Sequence, residues 1–122
     1  MAFKAGFVVM APDGDPDRHR ASIKTPKFEL SVVVVQLMNF DQATSVCRDL
    51  VHKEGAQALV LCPGFTSEAV AKVAQAVGPG IPVDVARGDV PSVMATAQIL
   101  GKERMLQSES VDLHDPTILI FL

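Results

Sequence analysis

The segment from Phe28 to Leu37 constrains the fold more than any other part of the chain. It contains four consecutive valines at positions 32–35. β-Branched side chains have restricted χ1 angles and favour strands over helices. Because a valine run is apolar on both faces of a strand, it predicts an interior strand of a sheet that is covered on both sides.

Shorter apolar runs alternate with segments of helical periodicity along the rest of the chain. An aspartate before a proline, Asp15-Pro16, resembles the start of a helix and predicts a short helix over 17–23. A longer helix is predicted over 41–54, with Asn39 or Asp41 as its cap and Gly55 at its end. A second helix is predicted between the cap Thr66 or Ser67 and Gly78, and a third over 92–106. Strands are predicted over 4–10, 58–61 and 83–86.

This alternation is typical of an α/β fold with a mostly parallel open sheet of four to five strands and helices on both faces, flavodoxin-like or Rossmann-like. The 122 residues suffice for one domain but are too few for a (β/α)8 barrel. Residues 107–122 are expected to form a tail. Its apolar end, Thr117–Leu122, is interpreted as an edge strand or a strand exchanged with a neighbouring subunit.

Composition narrows the classes of partner. The chain is 48% apolar with a formal net charge of −3, which excludes a disordered protein and argues against a nucleic-acid partner. Neither a membrane-spanning run nor a secretory signal is evident, so we expect a cytoplasmic protein without a membrane partner. A mean hydropathy of +0.28 with 20% charged residues indicates surplus apolar surface, which predicts a homo-oligomer, a dimer or larger.

Candidate functional residues cluster where predicted strands end. Ligands of open α/β sheets bind beyond the carboxyl ends of the strands. If the strands are parallel, three loops meet there, and together they contribute Asp13, Asp15, His19 and Arg20; Cys62, Gly64, Phe65 and Thr66; and Arg87 and Asp89.

Cys62 and Arg87 are the sharpest candidates within this cluster. Cys62 precedes a predicted helix N-terminus, which would stabilise a thiolate able to act as nucleophile or base, with His19 as its acid–base partner. Alternatively, Cys62 is a small apolar residue that closes a strand. Arg87 suits bidentate recognition of a carboxylate or phosphate, or it pairs with Asp89 and merely holds the loops together.

The turn from Gly64 to Ser67 offers backbone amides for an anion at a helix start, although it equally suits an ordinary βα turn. No dinucleotide or P-loop fingerprint is present, so no cofactor is expected. The histidines lack partners at ligand spacing, and the DGDPD run at 13–17 lacks the glycine and glutamate of a calcium loop. We therefore expect no metal site.

Several motifs resemble one family. They are Ala11-Pro12-x-x-Asp15-Pro16-x-x-His19-Arg20, Thr25-Pro26-x-Phe28-Glu29-Leu30, Leu61-Cys62-x-Gly64-Phe65 and the segment 83–90 around Arg87 and Asp89. Together they are similar to a small bacterial family known as a domain of unknown function, over roughly the first ninety residues. The resemblance departs at Pro63 and Gly88. It implies a compact α/β domain, and no activity comes with it.

Three functions follow, in order of preference. The first is an oligomeric domain that binds a small anionic metabolite at the strand carboxyl ends through Arg87, the 64–66 amides and His19. The second is a non-catalytic structural or interaction subunit. The third is an isomerase or hydrolase that depends on Cys62.

Overall fold

The structure, a computed structural model, describes residues 1–103 of the chain. The predicted tail at 107–122 and its terminal strand lie outside the described residues. The strands are β1 (Phe3–Ala11), β2 (Arg20–Lys24), β3 (Phe28–Gln36), β4 (Ala58–Leu61) and β5 (Val83–Val85), and the helices are α1 (Phe40–His52), α2 (Ser67–Val77) and α3 (Val90–Lys102).

Five strands form one mostly parallel sheet in the order β2-β3-β1-β4-β5. β1 pairs in parallel with both β3 and β4, β4 pairs in parallel with β5, and only the edge strand β2 is antiparallel. The valine-rich strand is therefore interior, as predicted from its composition. The fold is α/β.

The short helix predicted over 17–23 is wrong. The amide of His19 does donate to the carbonyl of Asp15 at 2.7 Å, which closes one helical turn. The chain then extends, because Arg20–Lys24 pairs with β3 and satisfies its backbone groups there. A single turn fixes several dihedral angles for one hydrogen bond, so a strand partner readily outcompetes it.

The predicted caps of α1 and α2 are confirmed. The side chain of Asn39 accepts from the Gln42 amide at 3.0 Å, and the hydroxyl of Thr66 accepts from the Ala69 amide at 3.1 Å. α2 ends at Gly78, whose φ of +89° is one that residues with a side chain rarely adopt. α1 and α2 pack against each other and against the sheet.

The core lies on one face of the sheet, beneath α1 and α2. Strand side chains alternate between faces, and every fully buried one belongs to the same set as Val8, Val33 and Leu59. Leu50 and Cys47 of α1 and Val73 of α2 complete this core. Replacing a core leucine with alanine typically costs about 2–5 kcal/mol of stability.

The opposite set of strand residues forms what we call the open face. Its apolar members are half-buried or exposed: Phe3, Ala5, Phe7, Val9, Ala11, Ala21, Ile23, Phe28, Leu30, Val32, Val34, Ala58 and Val60. The polar members are Gln36 at the end of β3 and Asp84 of β5. Among residues 1–103, the two helices that pack on the sheet both lie on the other side, so the expected second helical layer is not found there.

Candidate functional site

The four parallel strands β3, β1, β4 and β5 end at the same edge of the sheet, which we call the carboxyl edge. The chain moves from β1 outward to β3 and then returns across β1 to β4. The direction of winding therefore reverses between β1 and β4. In open α/β sheets such a reversal leaves a crevice in which ligands bind.

The loop after β1 leans away from this reversal toward β3. The Leu37 amide donates to the carbonyl of Ala11 at 2.8 Å, and the Gly14 amide donates to the same carbonyl at 3.0 Å. Gly14 lies directly against the backbone of Val35, where a Cβ would come within 2.6 Å of the carbonyl carbon. The absence of a side chain at Gly14 is what allows this approach.

Asp15 and His19 close the same loop on itself. The Asp15 amide donates to Nδ1 of His19 at 3.0 Å, and Oδ1 of Asp15 accepts from the Asp17 amide at 3.0 Å. Both side chains thus stabilise the loop conformation through local hydrogen bonds, the second being a turn of the type aspartate favours.

The turn after β4 is fastened to the core. The amide of Cys62 donates to the carbonyl of Val8 at 3.0 Å, and the Cys62 side chain is half-buried. Phe65 is fully buried, its ring 6.0 Å from that of Phe40, and Gly64 is also buried. The side chain of Phe65 is therefore a core element, and its amide donates to the carbonyl of Cys62 at 3.2 Å within the turn.

Arg87 connects the turn after β4 with the loop after β5. Its guanidinium donates from Nη1 to the carbonyl of Pro63 at 2.8 Å and from Nη2 to the carbonyl of Phe65 at 2.7 Å. The planar fork of arginine donors makes this two-point contact specific. It places a positive charge beside the first turn of α2, where the helix dipole is also positive.

These contacts fix the two loops to different neighbours. The loop after β1 is tied to β3, while the turn after β4 is tied to β1 through Cys62 and to the loop after β5 through Arg87. The reversal point lies between the ends of β1 and β4, and Cys62 directly follows β4 there. The carboxyl edge thus brings together Cys62, the 63–66 backbone and Arg87.

Asp89 and Arg20 have other partners. The carboxylate of Asp89 caps α3 by accepting from the Ser92 amide at 2.9 Å, and these hydrogen bonds from Ser92 lower the pKa of Asp89. Arg20 donates from Nη2 to both carboxylate oxygens of Glu54 at 2.9 Å. It lines a groove between the β1–β2 loop and α1, on the helical side of the sheet.

His19 and Cys62 adjoin different strands of the sheet, β2 and β4. The carbonyl of His19 accepts from the Val34 amide at 2.9 Å, so His19 extends the pairing of β2 with β3. Strands β3 and β1 lie between β2 and β4. Three strand spacings amount to about 14 Å between the two backbones. The proposed acid–base partner of Cys62 is thus not adjacent to it in the sheet.

A polar cavity at the opposite, amino end of the sheet was not anticipated. It has a volume of about 260 Å³, and its lining includes Lys4, Lys24, Glu29 and the serines Ser22 and Ser31. The ammonium groups of both lysines lie within 4.0 Å of Glu29, at 3.9 and 3.7 Å. The sequence pattern that corresponds to this cavity is the alternation of polar and apolar residues over 20–24, which is typical of a strand and overlaps the helix predicted over 17–23.

The described residues also bear on metals, thiols and membranes. Within residues 1–103 no group of three or more His, Cys, Asp or Glu side chains is arranged to hold a metal ion. Burial raises the pKa of the Cys47 thiol to about 12. No helix in this range is long and apolar enough to cross a bilayer.

The comparisons with known proteins point to one family. The description of the matching family is "Family of unknown function (DUF6506)", and the match covers residues 3–101. No curated protein and no solved structure matches the chain at a significant level. The match runs from the first strand nearly to the end of α3, so it includes all of the carboxyl edge.

Proposed function

The chain belongs to the Family of unknown function (DUF6506), and from the geometry of its carboxyl edge we propose that it is a binding domain for a small anionic ligand. The observation that carries this proposal is the position of Arg87, which is hydrogen-bonded to the turn after β4, next to the reversal of winding between β1 and β4. The loop after β1 is held to β3 by the Ala11 carbonyl, and the turn after β4 is held toward β5 by Arg87.

The electrostatics of this edge favour an anion. Arg87 donates to the carbonyl of Phe65, two residues before α2 begins, so its charge lies beside the positive N-terminus of α2. A carboxylate or phosphate bound there is stabilised by both, and the amides of the first turn of α2 are donors for its oxygens.

Ligand-dependent thermal stabilisation tests this proposal. The probes are inorganic phosphate, pyrophosphate and succinate, measured on the wild type, Arg87→Gln and the control Arg48→Gln, whose arginine is exposed on α1. At ten times Kd, binding adds about 1.4 kcal/mol of stability, which corresponds to a rise in Tm of roughly 4–6 °C for a domain of this size.

We expect at least one probe to produce this rise in the wild type and in Arg48→Gln, and less than about 1 °C in Arg87→Gln. Each rise is taken relative to the same variant without ligand, because loss of the Arg87 hydrogen bonds lowers the starting Tm. The same rise in Arg87→Gln as in the wild type, or no rise with any probe, contradicts the proposal.

The second candidate function is catalysis by Cys62 as the nucleophile or base of an isomerase or hydrolase. Its support is the half-buried position of Cys62 directly after β4, at the reversal of winding. The separation of about 14 Å from His19 weighs against that pair, so a catalytic role would need another partner. A thiol-reactivity pH profile is the test of this hypothesis: an ordinary high thiol pKa contradicts it.

The expected homo-oligomer and cytoplasmic location also remain proposals. The open face supports the first, because apolar patches of several hundred Å² on a soluble domain usually mark an interaction site.

A further inference from the structure

The open face is an apolar surface without a helical layer in the described part of the chain. Phe3 and Phe28 pair in register upon it with their rings stacked 6.1 Å apart, and they are 49% and 37% exposed. Ile23 on the neighbouring edge strand is 60% exposed. Among residues 1–103, the one charged side chain that strand alternation directs to this side is Asp84, on the far edge strand β5.

We infer that this face docks a second copy of the chain, face to face, across a twofold axis. In such an interface the same patch serves both subunits and must be complementary to itself. The open face meets this condition, because the polar side chains of the described strands on this side are the exposed Gln36 at the end of β3 and Asp84 on the edge strand β5, so no charge is buried at its centre. Two sheets pack in this way about 10 Å apart, with interdigitating side chains.

The dimensions of the face favour a second copy over one short segment. Three strand spacings from β2 to β4 make it about 14 Å wide, and Phe3 to Val9 makes it about 20 Å long. A single helix is about 10 Å across and leaves part of this width uncovered. On the opposite face, two helices, α1 and α2, are needed side by side.

The extent of the family match also favours a second copy of the chain, rather than residues 104–122, as the cover of the open face. The match to the family ends at residue 101 and contains all five strands. A cover common to the family must therefore come from residues 3–101. Of those, α3 has no buried residue and exposes Val90, Met94 and Ile99, so its apolar side chains are not buried against the face.

The mass of the full-length chain in solution tests this inference, measured by light scattering and sedimentation. Ile23→Lys and Phe28→Lys place a charge on the face. Met38→Lys is the matched control, because Met38 is 40% exposed in the loop after β3 and lies off the face. Far-UV circular dichroism checks that each variant is folded.

We expect a dimer for the wild type and for Met38→Lys, and at least 100-fold weaker association for both face variants. A wild type that is monomeric at 100 µM, or face variants that remain as tightly dimeric as the control, overturns the inference. These outcomes are independent of the ligand site.

A second measurement keeps the inference testable if the lysine variants unfold. In Ile23→Cys, the new thiol should react slowly at high protein concentration and quickly on dilution below the dimer Kd. Protection that does not change with concentration would mean that the chain covers its own face, and it would overturn the inference.

Discussion

Gly14 is the position at which one added methyl group should test the architecture of the carboxyl edge. It lies in the loop after β1, and its amide donates to the carbonyl of Ala11 at 3.0 Å. In Gly14→Ala the new Cβ would lie within 2.6 Å of the carbonyl carbon of Val35 and closer still to its oxygen. Carbon atoms in contact prefer about 3.5–4.0 Å, so one backbone must move by about 1 Å.

The expected loss of stability follows from these distances. Overpacking typically costs about 1–3 kcal/mol and occasionally more, and here about 3–3.5 kcal/mol applies because the obstacle is backbone rather than a movable side chain. The smaller entropy of the unfolded alanine chain offsets about 0.4–1 kcal/mol. We therefore expect Gly14→Ala to lower the free energy of unfolding by about 2–3 kcal/mol.

Urea denaturation at a fixed protein concentration measures this change, because association would otherwise alter the apparent stability. With an m-value of about 1.5 kcal/mol/M, the midpoint should fall by roughly 1.5–2 M. The control is Gly88→Ala, whose Cβ would meet Val93 at an ordinary 3.4 Å. It should change stability by less than about 0.5 kcal/mol. Equal effects of the two substitutions would refute the close approach of the loop to β3.

Three further predictions concern the cysteines, a helix cap and an ion pair. Below pH 9, Cys47 should react with a thiol reagent only after unfolding, because burial raises its pKa to about 12, whereas the half-buried Cys62 should react in the folded protein; equal native rates would contradict this. Hydrogen bonds hold the pKa of Asp89 below its ordinary value of 3.8 in the folded state, so the stability it contributes is present above that value and is lost as pH falls through the lower folded value. Asp89→Asn, which keeps the cap, should show a flatter stability profile between about pH 5 and 2 than the wild type, and identical profiles would argue against this cap. Arg20→Ala should lower stability by less than about 1 kcal/mol, and less still in 1 M salt, because Arg20 and Glu54 are both about two-fifths exposed; a larger, salt-independent loss would mean that the pair is more buried than the structure has it.

Local patterns in the sequence were sufficient for most of the elements. The valine run predicts β3, the predicted strand over 58–61 matches β4, and the 3.6-residue spacing of apolar side chains with Asn39 and Thr66 as caps predicts α1 and α2. These patterns work because they record which face each element buries, a property of residues close in sequence. The parallel arrangement followed from the alternation of strands and helices.

The candidate site was predicted only in part. The sequence predicts that three loops meet at the carboxyl edge. In the structure Arg87 connects two of them, after β4 and β5, whereas the loop after β1 is tied to β3. Asp89 and Phe65, however, serve as a helix cap and a core residue. A charged or aromatic residue near a strand end has the same local signature in either role, and only its distant partners distinguish them.

Tertiary structure decided three features that no local pattern contains. Arg20–Lys24 became a strand because β3 lies beside it, and Arg20 turned to Glu54, 34 positions away. The sequence by itself determined an α/β domain whose strands carry apolar side chains on both faces. Only the winding of the chain, which places α1 and α2 on one side of the sheet, decided which strand face these two helices cover: both crossovers run in the same direction with the same right-handed sense, so both helices fall on the same face.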